Sequence, residues 1–175
     1  MTDYFAFYGL PLSFNPDMAV VKQQFYALSK KYHPDFYINE NQEKQAEVLE
    51  LSTVNNKAYQ VLSDPQKRLH YILEFQGILK EGENYALPQS FLMEMMEVNE
   101  ALMDLQFEPD ATRLAALKTE VATIEQGIAA EILKQTTLFD NLNAVAQDDS
   151  LLVIKDLYYR NKYLIRIRES MDKLS

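Results

Sequence analysis

An all-α protein is predicted from three observations. The 175 residues hold only 4 glycines and 6 prolines. Alternating apolar and polar runs that would read as strands are scarce, and apolar residues recur instead at spacings of three and four. In order along the chain, residues 4–9 form a short amphipathic turn. Asn15-Pro16-Asp17 reads as an N-cap, a proline at the first helical position and an acid favoured by the helix dipole, so a helix is expected over residues 16–32. Pro34 ends it, because proline disfavours helical geometry in the residue before it. A second long helix fits residues 41–62, closed by Ser63-Asp64-Pro65, with Asp64 capping a further helix over residues 65–75.

The stretch 76–89 carries Gly77, Gly82, Pro88 and mixed charges, and is the linker candidate. Beyond it three helices are expected, over residues 88–107, 109–146 and 149–174. Gly127, inside the middle one, costs roughly 1 kcal/mol against alanine and marks a candidate bend. The expected organisation is a first domain at 1–76, a linker at 77–88 and a three-helix domain at 89–175. Charge divides accordingly: residues 1–76 carry 7 basic and 9 acidic side chains, net −2, and residues 77–175 carry 10 and 17, net −7. Two regions with different partners would have this character.

With 17 basic against 26 acidic residues, the net charge of −9 disfavours nucleic acid as the main partner, since phosphate neutralisation needs clustered Lys and Arg. There are no cysteines, which excludes disulfides, thiolate metal sites, cysteine nucleophiles and cysteine-bound clusters. No cofactor or metal of its own is expected. No apolar run approaches the roughly 18 residues of a membrane span. Met1-Thr2-Asp3 leads into folded-looking sequence without a basic-then-apolar leader, from which a cytoplasmic place, bacterial rather than mitochondrial, is expected.

At about 100° per residue, Met18, Val21, Phe25, Leu28 and Tyr32 fall within an arc of about 80° and form one core stripe. The opposite face holds Lys22, Tyr26 and Lys30, with Lys31 beside them. A solvated face is one reading. An aromatic set between two lysines away from the core also suits a contact surface, because tyrosine offers area and a polar tip at low entropic cost. Tyr32-His33-Pro34-Asp35 follows in a turn, where proline would present imidazole and carboxylate at fixed geometry. A His–Asp pair can orient an imidazole in a small hydrolase. Here no Ser or Cys nucleophile, third metal ligand or glycine-rich loop has a place beside it. No catalytic residue is assigned, and a recognition tip fits better. His70, the second histidine, reads as structural or surface.

At these residues the sequence resembles the J-domain proteins. The resemblance covers residues 1–76. It rests on Lys31-Tyr32-His33-Pro34-Asp35 after the cationic helix and on the run from Asn56 to Pro65, with Lys67-Arg68 in the next helix. It implies a helical hairpin with flanking short helices that recruits a DnaK- or HscA-type ATPase chaperone and stimulates it. His33, Pro34 and Asp35 would contact the chaperone, and Lys22, Tyr26, Lys30 and Lys31 would supply the charged docking face. Two positions depart from the family pattern. Phe36 stands where a basic residue usually follows the aspartate, and Asn55 interrupts the stripe Val48, Leu51, Ala58, Leu62. The asparagine reads as a hydrogen-bonded core residue.

On the first helix of the second region, Phe91, Met95, Val98, Leu102 and Leu105 form one stripe of about 80°, enough for burial in a bundle. Leu92, Met93, Met96, Met103 and Phe107 extend the apolar arc to about 240°, more than a core needs. Glu97, Glu100 and Asp104 line the edge of this second stripe. Either the following helices cover both stripes, or the second is an exposed Met-rich protein-binding surface rimmed by carboxylates. Without histidine or cysteine nearby, a metal site is disfavoured.

In length, order and pattern the whole chain resembles the HscB family, whose J domain is joined to a three-helix domain that holds the iron–sulphur cluster scaffold protein. Phe91-Leu92-Met93-Glu94 and the acids after it match that pattern. The resemblance makes Leu92, Met93, Met96, Glu97, Glu100 and Asp104 scaffold-binding residues. Tyr159, in Leu157-Tyr158-Tyr159-Arg160, becomes a further aromatic contact. It implies a non-enzymatic co-chaperone that aids cluster assembly and transfer. A J-domain protein delivering other clients is the alternative, and the Met-rich patch also allows weak self-association.

Overall fold

The computed structural model describes residues 2–80, 82–141 and 147–174, with the backbone alone at 147 and 148. Among the described residues there are helices and no strand. The chain divides into two compact units, Met1–Leu79 and Lys80–Ser175.

The first unit begins with α1 (Tyr4–Phe7), whose Asp3 side chain accepts from the Ala6 N–H. It then forms a hairpin of α2 (Met18–Lys31) and α3 (Gln42–Ser63), and closes with α4 (Pro65–Phe75). The cap of α2 is Asp17 rather than Asn15. Its carboxylate accepts from Ala19 N (2.8 Å) and Val20 N (3.4 Å), so the helix starts two residues later than the proline rule suggests. Asn41 caps α3 and Asp64 caps α4 in the same manner, each oxygen meeting a donor that the helix leaves unpaired. Gly77, at φ +71°, ends α4 in the left-handed conformation that glycine adopts without strain, while Ile78 N–H returns to Leu73 O at 2.9 Å.

Phe5, Tyr8, Phe14, Val21, Val48, Ala58, Leu62, Leu69, Ile72 and Leu73 are buried in this unit. Phe25 and Tyr59 stack across α2 and α3 with ring centres 4.2 Å apart. Met18, expected in the core stripe, is 38% exposed, because it stands at the helix start beside the Arg68 guanidinium (3.7 Å to its sulphur). Arg68 is itself buried. Its Nε donates to Phe14 O at 2.9 Å and its Nη1 to Leu62 O, clamping the loop before α2 to the end of α3. On the same helix, Tyr71 accepts from Tyr4 N (2.9 Å) and donates to Thr2 O (3.0 Å), which pins the start of the chain.

The second unit is built from α5 (Gln89–Phe107), α6 (Ala111–Asn141) and α7 (Gln147–Asp172). α6 runs unbroken through Gly127, so the candidate bend does not divide it. The expected end of this helix at 142–146 lies outside the described residues. Asp110 caps α6 by accepting from Thr112 N (2.8 Å) and Arg113 N (3.0 Å). Its core joins Phe91, Met95, Val98, Leu102 and Leu105 of α5 to Leu117, Val121 and Ile128 of α6 and to Leu157, Leu164, Ile167 and Met171 of α7. Asn99 Nδ2 donates to Tyr163 Oη at 2.8 Å, and the Phe91 and Tyr163 rings meet edge to face, so α5 and α7 are tied at two levels.

Candidate functional sites

The first site is the tip of the α2–α3 hairpin. α2 ends at Lys31, and His33 takes the extended geometry (φ −71°, ψ 124°) that a residue before proline prefers. Pro34–Tyr37 then makes one 3₁₀ turn. His33 caps it, its Nδ1 accepting from the Asp35 N–H at 3.3 Å, which leaves the ring proton on Nε2. Tyr37 Oη donates to Lys31 O at 2.8 Å, tying the turn back to the end of α2.

The His33 and Asp35 side chains are 54% and 75% exposed, and the carboxylate lies 3.7 Å from Nδ1. Because that nitrogen is engaged by the backbone, it does not donate to the carboxylate as an oriented catalytic imidazole would. Lys22, Tyr26, Lys30 and Lys31 are all exposed on α2, so the structure brings a cationic stripe up to an exposed tripeptide. Lys31 Nζ sits 5.2 Å from the centre of the Tyr32 ring. His70 stands on α4 with its Nε2 3.8 Å from the Glu74 carboxylate. Among the described residues no group of three His, Asp or Glu side chains could hold a metal ion.

The second site is on α5. Its first apolar stripe is the buried one, while Leu92, Met93, Met96, Met103 and Phe107 are all exposed, Phe107 by 85%. The three-helix core therefore uses one face, and the remaining apolar surface faces outward. Glu97, Glu100 and Asp104 are exposed beside it, and Asp104 meets Arg113 at 3.3 Å.

Tyr159 differs in kind from the methionines. It is half-buried on α7, with its ring parallel to that of Tyr85 at 4.5 Å and edge-on to Tyr158. Burial, and secondarily the Glu83 carboxylate, raises its phenol above the ordinary value.

Sequence reasoning missed the cluster around it. Tyr85 Oη donates to Asp156 Oδ1 at 2.9 Å, Lys155 pairs with Glu83, and Arg160 Nη2 pairs with Asp156 at 2.6 Å while its guanidinium lies over the Phe91 ring. The stretch containing Glu83 and Tyr85 thus packs on α7. The one signal for it in the sequence was a lone aromatic in an otherwise polar segment, with Asp156 and Arg160 four apart.

Comparison with known proteins places these features in context. Residues 3–71 match the family model of the DnaJ domain, and residues 87–172 match that of the HSCB C-terminal oligomerisation domain. The co-chaperone protein HscB homolog of Vibrio cholerae is 33% identical over 158 residues, covering 89% of this chain and 92% of that one. The iron-sulfur cluster co-chaperone protein HscB of Mus musculus is 32% identical over 174 residues, covering 99% of this chain and 68% of that one. Among solved structures, the chaperone HscB from Vibrio cholerae superposes with a TM-score of 0.77 at 29% identity, over 98% of this chain and 96% of that one. The human co-chaperone HscB shares the fold with a TM-score of 0.75 at 24% identity, over 98% of this chain and 81% of that one. No described helix is long and apolar enough to cross a membrane.

Proposed function

The chain belongs to the HscB family of co-chaperones, and from that premise we propose that it is a two-armed adaptor acting in the bacterial cytoplasm. One arm, residues 1–76, presents His33, Pro34 and Asp35 with the stripe Lys22, Tyr26, Lys30 and Lys31 to a DnaK- or HscA-type ATPase. The other arm, residues 89–175, joined through 77–88, carries an iron–sulphur cluster scaffold protein on Leu92, Met93, Met96, Glu97, Glu100, Asp104 and Tyr159. Both partners meet in one complex. Hydrolysis closes the chaperone on the scaffold and favours transfer of the cluster, which is cargo rather than a group this chain holds. The reacting groups of ATP hydrolysis belong to the chaperone.

The single observation that carries this reading is the state of the two surfaces. The tripeptide is fixed by the His33 cap and the Tyr37 tie yet exposed, while the second apolar stripe of α5 is left uncovered beside three carboxylates. A rigid, exposed recognition element loses little entropy on binding, and exposed methionines adapt to an irregular partner.

The test is steady-state ATP hydrolysis by such a chaperone, with and without this protein and the scaffold. Stimulation by the wild type and its loss in His33→Gln are expected; equal stimulation by the variant overturns the first arm. Glu97→Lys with Glu100→Lys should weaken scaffold binding about tenfold or more by charge reversal and leave scaffold-independent stimulation unchanged. Unaltered scaffold affinity overturns the second. If the acidic Met-rich face instead binds many apolar peptides as well as the scaffold, the protein delivers general clients.

A further inference from the structure

Beside the tripeptide lies an open apolar cleft of about 330 Å³ between the 3₁₀ turn and the first turns of α3, walled by Pro34, Asp35, Tyr37, Ile38, Val48 and Leu49. Ile38 is 67% exposed and Leu49 59%, and Phe36, in the same turn, is 68% exposed. Ile38 and Leu49, two large apolar side chains on the walls of one cleft, differ from apolar residues scattered singly over a surface.

The cleft is also held in shape. Gln45 Nε2 donates to Ile38 O at 3.0 Å and to Glu40 O at 2.8 Å, fastening the end of the turn to α3. Tyr37 fastens its middle to α2, and the His33 ring leans on Phe36 with centres 5.7 Å apart. With its backbone tied on both sides, the turn offers a ligand a surface already formed.

We propose that this cleft is the apolar half of the chaperone-docking surface and receives an apolar side chain of the DnaK- or HscA-type partner. The proposal rests on the reading of the tip as the chaperone contact, and continuity carries it. Pro34 and Asp35 belong to the tripeptide and also wall the cleft, so a protein that grips the tripeptide stands over the cleft.

The chemistry of the lining suits the same occupant. Phe36 follows Asp35 where a cation would have continued the lysine stripe. On α3 the cleft is walled by Gln45, Ala46, Val48 and Leu49, none of them charged. Asp35 is the one charged residue of the lining, so an acidic partner side chain would meet repulsion there, and an apolar one finds contact. The complementary surface is therefore acidic opposite α2 and apolar past Asp35.

The experiment titrates the full-length protein into the steady-state ATPase of the partner chaperone, comparing wild type with Ile38→Ser and Leu49→Ser, each checked for unchanged helicity by circular dichroism. Both variants should raise the concentration for half-maximal stimulation about tenfold, as truncation of a central interface contact does, with the plateau kept. Unchanged half-maximal concentrations overturn the cleft and leave the tip reading standing. Absence of stimulation by the wild type, or its persistence in His33→Gln, overturns both. If Ile38→Ser alters only self-association in sedimentation velocity, the occupant is a second copy of this chain and the proposal fails.

Discussion

A single buried amide ties together three segments of the first unit. Asn55, 1% exposed, donates from Nδ2 to Phe25 O (3.1 Å) and Ser29 Oγ (2.9 Å), and its Oδ1 accepts from Tyr8 Oη (3.0 Å). Asn55→Ala removes the side-chain ties to Phe25 O, Ser29 Oγ and Tyr8 Oη and leaves the Tyr8 hydroxyl only its 3.1 Å bond to the carbonyl of residue 55, so it should lower the free energy of unfolding by about 1–3 kcal/mol in urea titrations. Asn55→Leu should not recover the loss. The Tyr8 phenol is pushed well above its ordinary value of 10.0, first by burial and then by the neighbouring Tyr59. A raised phenol value means that the fold prefers the neutral hydroxyl. This contribution is complete below about pH 10 and is lost as pH rises from there toward the raised value. Alkaline unfolding should therefore steepen above about pH 10, and less so in Tyr8→Phe. Asn55 was legible in the sequence because it breaks an apolar stripe. Arg68 and Gln45 were not: their partners are the carbonyls of Phe14, Leu62, Ile38 and Glu40, and a bond to a distant carbonyl leaves no periodic trace.

Among the elements, α5 shows how far a helical wheel reaches. The stripe of Phe91, Met95, Val98, Leu102 and Leu105 is the buried one, residue for residue, because a three-helix bundle needs only a narrow apolar face from each helix. Whether the second stripe is also covered depends on the length and placement of α6 and α7, which one helix's own sequence does not encode. Two adjacent methionines separate the roles. Met95→Ala, at a wholly buried position, should cost about 2–5 kcal/mol of stability through lost burial and the cavity left behind. Met96→Ala, 60% exposed, should stay within about 0.5 kcal/mol. Guanidinium unfolding of the two variants checks the pair. The start of α2 illustrates a limit of local rules: Asn15 before Pro16 had the right chemistry for a cap, but the free N–H groups point to Asp17.

For the molecule as a whole, each unit closes its own core, and the charge split between residues 1–76 and 77–175 already announced two regions of different character. A fragment of residues 1–79 should accordingly fold alone and melt cooperatively when followed by circular dichroism; a broad, non-cooperative melt would mean that its core is incomplete. The contacts of Glu83 and Tyr85 with α7 were beyond sequence reading, because glycines and mixed charge made the stretch look like an untethered connector. Its anchor is chemical as well as steric. Burial, followed by the bond to Asp156, pushes the Tyr85 phenol up to about 12, keeping it a donor over the working pH range.

The uncovered face of α5 also has a consequence for chemical damage. Met93, Met96 and Met103 are 61%, 60% and 58% exposed, while Met95 and Met171 are 0% and 2% exposed. In a chain without cysteine, these open thioethers are the natural targets of peroxide, and sulphoxidation turns an adaptable apolar side chain into a polar one. Mild peroxide should modify these three ahead of the two core methionines, as read by peptide mass spectrometry. If this face is the scaffold-binding surface proposed above, scaffold affinity should fall without a change in melting temperature, and methionine sulphoxide reductase should restore it. An exposed face rich in methionine would in this way also report the oxidant level of the cell.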